Sequence, residues 1–198
     1  MSDKRVLNVG GGSKDTPIPP YYQGWQHELL DINPRENPDV LADARELMSF
    51  SPGVYDAVYC CHNLEHYHRH DGAKVLRGFH HVLKPDGFAE IRVPDLGGVV
   101  RTVAARNLDI DDVLYESIRG PILVRDVIYG YHVEIEESGN DYYSHRTGYT
   151  QASLIKLAAA CGFNVWATGV KDFELIGYFF KQPPPVELVR MLGLAPPS

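Results

Sequence analysis

The chain has 198 residues, 44% of them hydrophobic and 23% charged, and a formal charge of −7 at neutral pH. That length suits one α/β domain with a sizeable core and is short for two. The acidic balance, with a pI near 5.7, argues against a phosphate backbone as main partner, so no nucleic acid is expected.

Three cysteines, Cys60, Cys61 and Cys161, are too few for a disulfide framework and fit a reducing cytoplasm. No apolar run approaches a membrane span, so no membrane partner is expected, and the short polar start reads as lacking a signal peptide.

Residues 5–9 read as a short buried strand that runs straight into Gly10, Gly11 and Gly12. Glycine lets the backbone turn with positive φ and lets a ligand approach the amides closely. At the first strand end of an open α/β sheet such a loop is a nucleotide cradle; alone, it reads equally as a tight turn. Residues 27–32 give a second strand closing on Asp31, about 20 residues past the first glycine, where an acid accepts both ribose hydroxyls of an adenosine. A third strand, 39–42, ends at another acid, Asp43. Between the loop and the second strand, prolines 17, 19 and 20 forbid the usual helix and predict an extended crossover.

A largely apolar fourth strand, 54–61, ends at His62-Asn63-Leu64-Glu65-His66. Residues 71–83 carry apolar positions at helical spacing, stopped by Lys84-Pro85-Asp86-Gly87 before a fifth strand at 88–94. Residues 96–149 form an insertion, read as helices at 96–106, 111–118 and 123–131 followed by a polar loop with tyrosines. A helix capped by Thr150 ends at Gly162, and strands at 163–170 and 173–181 make a closing hairpin. The tail, 182–198, reads as a short helix on the body or a partner motif, with proline flanks favouring disorder.

Taken in order, LNVGGGS, GWQHELLDIN, ADARELMSF, YDAVYCCHNLEHY, VLKPDG and IRVPDL resemble the class I S-adenosylmethionine-dependent methyltransferases, among them the small type 11-like proteins. The resemblance is close over about residues 5–96 and loose up to about Lys181. It implies a Rossmann-like α/β sheet, mostly parallel with a C-terminal antiparallel hairpin, and a helical cap at 96–149 within a single domain, 1–181. It implies S-adenosyl-L-methionine as cofactor. Asn8, Gly10, Gly11 and Gly12 would cradle its methionine end and Asp31 its ribose. Ile32, Asp43 and Ala44 would meet the adenine, and the Cys61 carbonyl the amino group. Two positions depart from the family pattern: Asn8 replaces the usual acid and Lys14 a later glycine. An NAD-dependent dehydrogenase is disfavoured, because its fingerprint wants a glycine or alanine where Asp15 stands.

Methyl transfer from an activated sulfonium is chiefly positioning, and a base is needed only for an acceptor that carries a proton. His62 at the end of the fourth strand is the first candidate for that base, with His66 and His145 behind it. The acceptor class implied is a small or saccharide-like molecule held under cap tyrosines; a homodimer is compatible with the sequence. His62-x-x-Glu65-His66 also matches the H-x-x-E-H pattern of some zinc peptidases, with His68, His70, His80 and His81 nearby. It follows a buried strand, and spacing identifies no third ligand, so no metal is expected. A cofactor-binding module without turnover is the reading from a different class.

Overall fold

A computed structural model describes residues 3–194; the end of the proline-rich tail, 195–198, lies outside the described residues. Seven strands form one sheet in the order β3-β2-β1-β4-β5-β9-β8. They are β1 (Arg5–Val9), β2 (Gln26–Asp31), β3 (Val40–Leu41), β4 (Tyr55–Cys61), β5 (Leu83–Pro94), β8 (Val165–Lys171) and β9 (Glu174–Phe180). β1 to β5 are parallel, whereas β9 runs antiparallel to β5 and β8 antiparallel to β9. This is the expected Rossmann-like sheet with its closing hairpin. The strand order reverses between β1 and β4, which sets the glycine loop and the His62 stretch side by side at the carboxyl edge, where such sheets bind ligands.

Alternation along β1 explains its central place. Leu7 and Val9 point to the face covered by α1 (Arg69–Val82) and α5 (Gln151–Ala160), and Val6 points to the other. The second face lacks a helix after β1, as the prolines foretell. A 3₁₀ turn at Pro20–Tyr22 covers it instead, with α6 (Val186–Met191) from the tail. Val189 and Leu192 are buried there, Leu192 among Val6, Tyr22, Phe88 and Phe180. The tail in its described part therefore packs on the body and adds apolar cover to the Val6 face.

The cap departs from its expected all-helical form. Residues 111–118 were expected as helix, yet β6 (Val113–Ser117) pairs antiparallel with β7 (Gly120–Leu123). The run Val113–Ser117 carries β-branched and aromatic residues that suit a strand, and the Ser117 hydroxyl closes the tight turn by accepting from Arg119 N and donating to the Gly120 carbonyl. α2 (Leu96–Arg106) and α3 (Val124–Tyr129) stand where expected. The loop after them holds a short helix, α4 (His132–Ser138), and a 3₁₀ turn at Asp141–Tyr143. The fifth strand also starts earlier than expected: Leu83 pairs with Tyr55, and an irregularity in register absorbs the proline–glycine turn before pairing resumes at Phe88. The cap returns to the body beside β4, where the Glu65 carbonyl accepts from Arg146 N at 2.8 Å and Thr147 N at 3.1 Å.

Candidate active site

The glycine loop is a cradle by necessity. Gly10 and Gly12 hold φ of +66° and +67°, and a Cβ on Gly10 would sit 2.0 Å from Asn63 Nδ2. A Cβ on Gly11 would sit 2.3 Å from Asn8 Nδ2, whereas Gly12 faces open space. Asn8 is buried, and its Oδ1 has no hydrogen-bond partner among the described residues. A buried acceptor without a donor is costly, and this one lies beside the loop on the wall of the cleft. Loop and second strand are tied together, since Asp31 Oδ2 accepts from Gly12 N at 3.3 Å and Oδ1 from Asn33 N at 2.9 Å. Each oxygen keeps a second lone pair, so the carboxylate can take two hydroxyls. Next to it Ile32 is an exposed apolar side chain, 45% accessible.

Asp43 and Ala44 stand at the end of β3, but the Asp43 carboxylate is already engaged. It caps the 3₁₀ segment Ala44–Ser49 through Arg45 N and pairs with the Arg45 guanidinium through both oxygens. Burial alone would raise its pKa, yet the Arg45 donors bring it below the usual carboxylate range. Lys14 pairs with Asp39, so its charge is spent on that carboxylate.

Under the cap lies a cavity of about 930 Å³. Asn8, Gly10, Gly11, Cys61, His62, His66 and His145 line it, with Tyr115, Tyr131 and Tyr143 from the cap; Gly12, Asp31, Ile32, Asp43 and Ala44 lie beyond its lining. The cleft therefore brings the expected methionine end and the histidines together. The expected adenosine residues continue along the same sheet edge.

The histidines differ in state. His62 is in the left-handed region at φ +48°. Its Nε2 is 2.9 Å from Glu174 Oε1 and its Nδ1 3.3 Å from Glu65 Oε1. Burial would favour the neutral ring, but Glu174 and Glu65 outweigh it and lift the pKa to about 11. The two carboxylates favour the protonated ring, which has no lone pair to receive a proton, and that weighs against the general-base role for His62. His145 is the opposite case. Burial lowers its pKa despite Glu65 nearby, and its Nδ1 stands 3.0 Å from the Val127 carbonyl. A carbonyl only accepts, so Nδ1 carries the proton and Nε2 keeps its lone pair. His66 sets Nδ1 and Nε2 each 3.1 Å from a carbonyl, of Ser144 and His62 respectively.

Two groups escaped sequence reasoning. Glu174 enters from β9 and Arg92 from β5, and they pair with each other at 3.4 Å. Arg92 also holds the fully buried Glu90 at 2.8 Å, which Tyr21 and Tyr22 bond from the proline crossover. Neither position carries a local signal, because the partner of His62 lies 112 residues downstream. Cys60, Cys61 and Cys161 are free thiols. Among the described residues no helix is long and apolar enough to cross a membrane.

A family model described as a methyltransferase domain matches residues 1–168. No curated protein matches the chain. Among solved structures, the fold is similar to the PH0226 protein from Pyrococcus horikoshii OT3, at 16% identity and TM-score 0.59, covering 91% of this chain and 83% of that one. A SAM dependent methyltransferase from Archaeoglobus fulgidus is similar at 13% identity and TM-score 0.55, covering 89% and 86%. The 1,6-didemethyltoxoflavin-N1-methyltransferase from Burkholderia thailandensis, with bound 1,6-didemethyltoxoflavin and S-adenosylhomocysteine, gives 17% and 0.55, covering 89% and 70%. At these identities the likeness is one of fold.

Proposed function

The chain belongs to the methyltransferase-domain family as a class I S-adenosylmethionine-dependent enzyme, and from that premise we propose that it methylates a small, hydroxyl-bearing or saccharide-like acceptor held beneath the cap. The observation that carries the proposal is the shared cavity, where the glycine cradle and the tyrosine-bearing cap face one space. Its size matches the upper range of small-ligand sites, which leaves room for an acceptor beside the methionine end of the donor. The fold relative from Burkholderia thailandensis, which holds 1,6-didemethyltoxoflavin with S-adenosylhomocysteine, supports the small-molecule class.

S-adenosylmethionine supplies an activated methyl group. The chain's part is to bind and orient it. The orphaned Asn8 Oδ1 accepts from the methionine ammonium, Gly10 to Gly12 turn the backbone around the carboxylate end, and Cys61 offers its carbonyl at the end of β4. Asp31 accepts the two ribose hydroxyls, Ile32 packs on the adenine face, and Ala44 lies at the adenine edge with Asp43, which shares its carboxylate with Arg45. The cationic His62, fixed between Glu174 and Glu65, is a wall of the acceptor pocket rather than a proton acceptor. The tyrosines Tyr115, Tyr131 and Tyr143 supply flat amphipathic surfaces suited to a ring-shaped acceptor. We place the work in the cytoplasm on the strength of the free thiols. Residues 1–181 act as one domain with the cap inside it.

The test is mass spectrometry of reactions containing S-adenosylmethionine and a panel of phenols, sugars and heterocyclic alcohols. The expected result is S-adenosylhomocysteine formed in step with an acceptor one methylene heavier. Tight cofactor binding with no product from any acceptor, nor from cell extract, would instead mark a binding module.

A further inference from the structure

In the account above Glu65 serves only to hold His62, and its surroundings are unusual. It is 1% exposed, and neither carboxylate oxygen has a hydrogen-bond partner among the described residues. The His62 ring approaches one oxygen, Oε1, from 3.3 Å through Nδ1 while its Nε2 holds Glu174, which leaves Oε2 without a partner. A carboxylate removed from water needs bonds to both oxygens or a cation at short range. The fold then directs two further metal-type ligands to the same spot. His66 is the next residue, and His145 comes from the cap, fastened there by the bonds of Arg146 and Thr147 to the Glu65 carbonyl. One ligand atom from each of Glu65, His66 and His145 lies within 4.8 Å of the other two.

The tautomers agree with this. His145 gives its Nδ1 proton to the Val127 carbonyl, which leaves Nε2 as a free donor atom oriented by an outer partner, the usual arrangement of a metal-bound histidine. A neutral His66 can donate to only one of its two facing carbonyls. Its other nitrogen then keeps a lone pair.

We propose that Glu65, His66 and His145 form a divalent metal site on the acceptor side of the cleft. Two imidazoles and one carboxylate are a donor set for Zn²⁺, Mn²⁺ or Fe²⁺ with positions left open. The role rests on the methyltransferase reading: the ion takes the acceptor oxygen as a further ligand and lowers the pKa of its hydroxyl. The O–H proton is released to solvent, and the oxygen forms a bond to the methyl carbon. The S–CH₃ bond breaks with its electron pair going to sulfur. The products are a methyl ether, S-adenosylhomocysteine and one proton. The third ligand, which spacing in the sequence could not supply, is the one the cap brings. The neighbouring group Cys61, His62 and Glu174 also converges within 4.8 Å. It carries no such demand, because Glu174 already has His62 and Arg92 as partners.

The experiment is a calorimetric titration of the chelator-treated, dialysed full chain with Zn²⁺ and with Mn²⁺. Co²⁺ absorption serves as a spectroscopic check on the ligand set. Wild type is expected to bind one ion per chain, and Glu65→Gln and His145→Gln each at least tenfold more weakly. Glu65→Gln keeps the side-chain volume, and His145→Gln lies in the cap, so circular dichroism of both reports whether the fold is kept. Binding of S-adenosylhomocysteine, measured on the same samples, separates this proposal from the reading it rests on. Wild type that binds the nucleoside but no ion overturns the metal site and leaves the methyltransferase reading standing. An ion bound equally by wild type and both variants also overturns it, since the ligands would then be other histidines, such as the stacked pair His68 and His70.

Discussion

The two halves of the cleft are built on different principles. Over β1 to β3 each proposed cofactor residue sits at a strand end a short distance along the chain from the last, and backbone bonds such as Gly12 N to Asp31 fix them locally. Beneath the cap, one five-residue stretch after β4 meets Glu174 of β9 and His145 of the insertion, both far downstream. The first half is assembled from strand ends and loops of the parallel sheet itself. The second exists only when hairpin and cap are both in place, so acceptor chemistry can change there without disturbing the donor site.

The largest effect that would break this contrast comes from the glycine loop. Gly10→Ala places a Cβ in the left-handed region and on the Asn63 side chain, and should cost about 1–3 kcal/mol of stability in a denaturant titration. Gly12→Ala has open space around its Cβ; it should cost only about 1 kcal/mol, with its main damage in cofactor affinity. Equal stability losses would mean that the loop is not packed as described.

The second prediction sharpens the acceptor half. Were His62 the general base, His62→Ala would lose about 10²–10⁴-fold in turnover. As a cation paired to Glu174 and Glu65 it should lose less than about tenfold, with cofactor affinity little changed, as read from single-turnover rates and calorimetry. A loss beyond about a hundredfold would return the ring to the proton-transfer step.

The smallest effect concerns the outer edge of the donor half. Asp43 has its pKa depressed in the fold, where the Arg45 donors outweigh its burial. A carboxyl with a depressed folded pKa stabilises fully above its unfolded value, and that contribution is lost as pH falls through the folded value. Arg45→Ala should therefore move the acid unfolding midpoint upward, by a difference of about 0.2–1 kcal/mol because the guanidinium is partly exposed. Tryptophan fluorescence during acid titration measures it; coincident curves would show that the pair contributes nothing.

Legibility in the sequence follows the same division. Strand ends, the glycine loop and Asp31 are visible because period, turn residues and offset are all local. The proline crossover is visible too, since proline dictates its own backbone. The β6–β7 hairpin was misread because a short run of mixed apolar residues fits helix or strand equally, and the turn at 117–120 had to arbitrate. The ionic partners Glu174 and Arg92 were invisible for a different reason. A charged residue on a strand looks like a solvated one until pairing shows what stands beside it. His62 itself was located correctly at the carboxyl edge. Its ionic surroundings were not legible, because they include two carboxylates, of which only Glu65 is near in sequence.

The most direct test of the central claim is calorimetry with S-adenosylhomocysteine on wild type and Asp31→Ala. The account predicts one molecule bound per wild-type chain. Removing the carboxylate that accepts both ribose hydroxyls should cost about 1.5–3 kcal/mol, roughly a 10- to 150-fold weaker Kd, while the fold is kept. Equal affinity in the two proteins, or no binding by wild type at any accessible concentration, would contradict it.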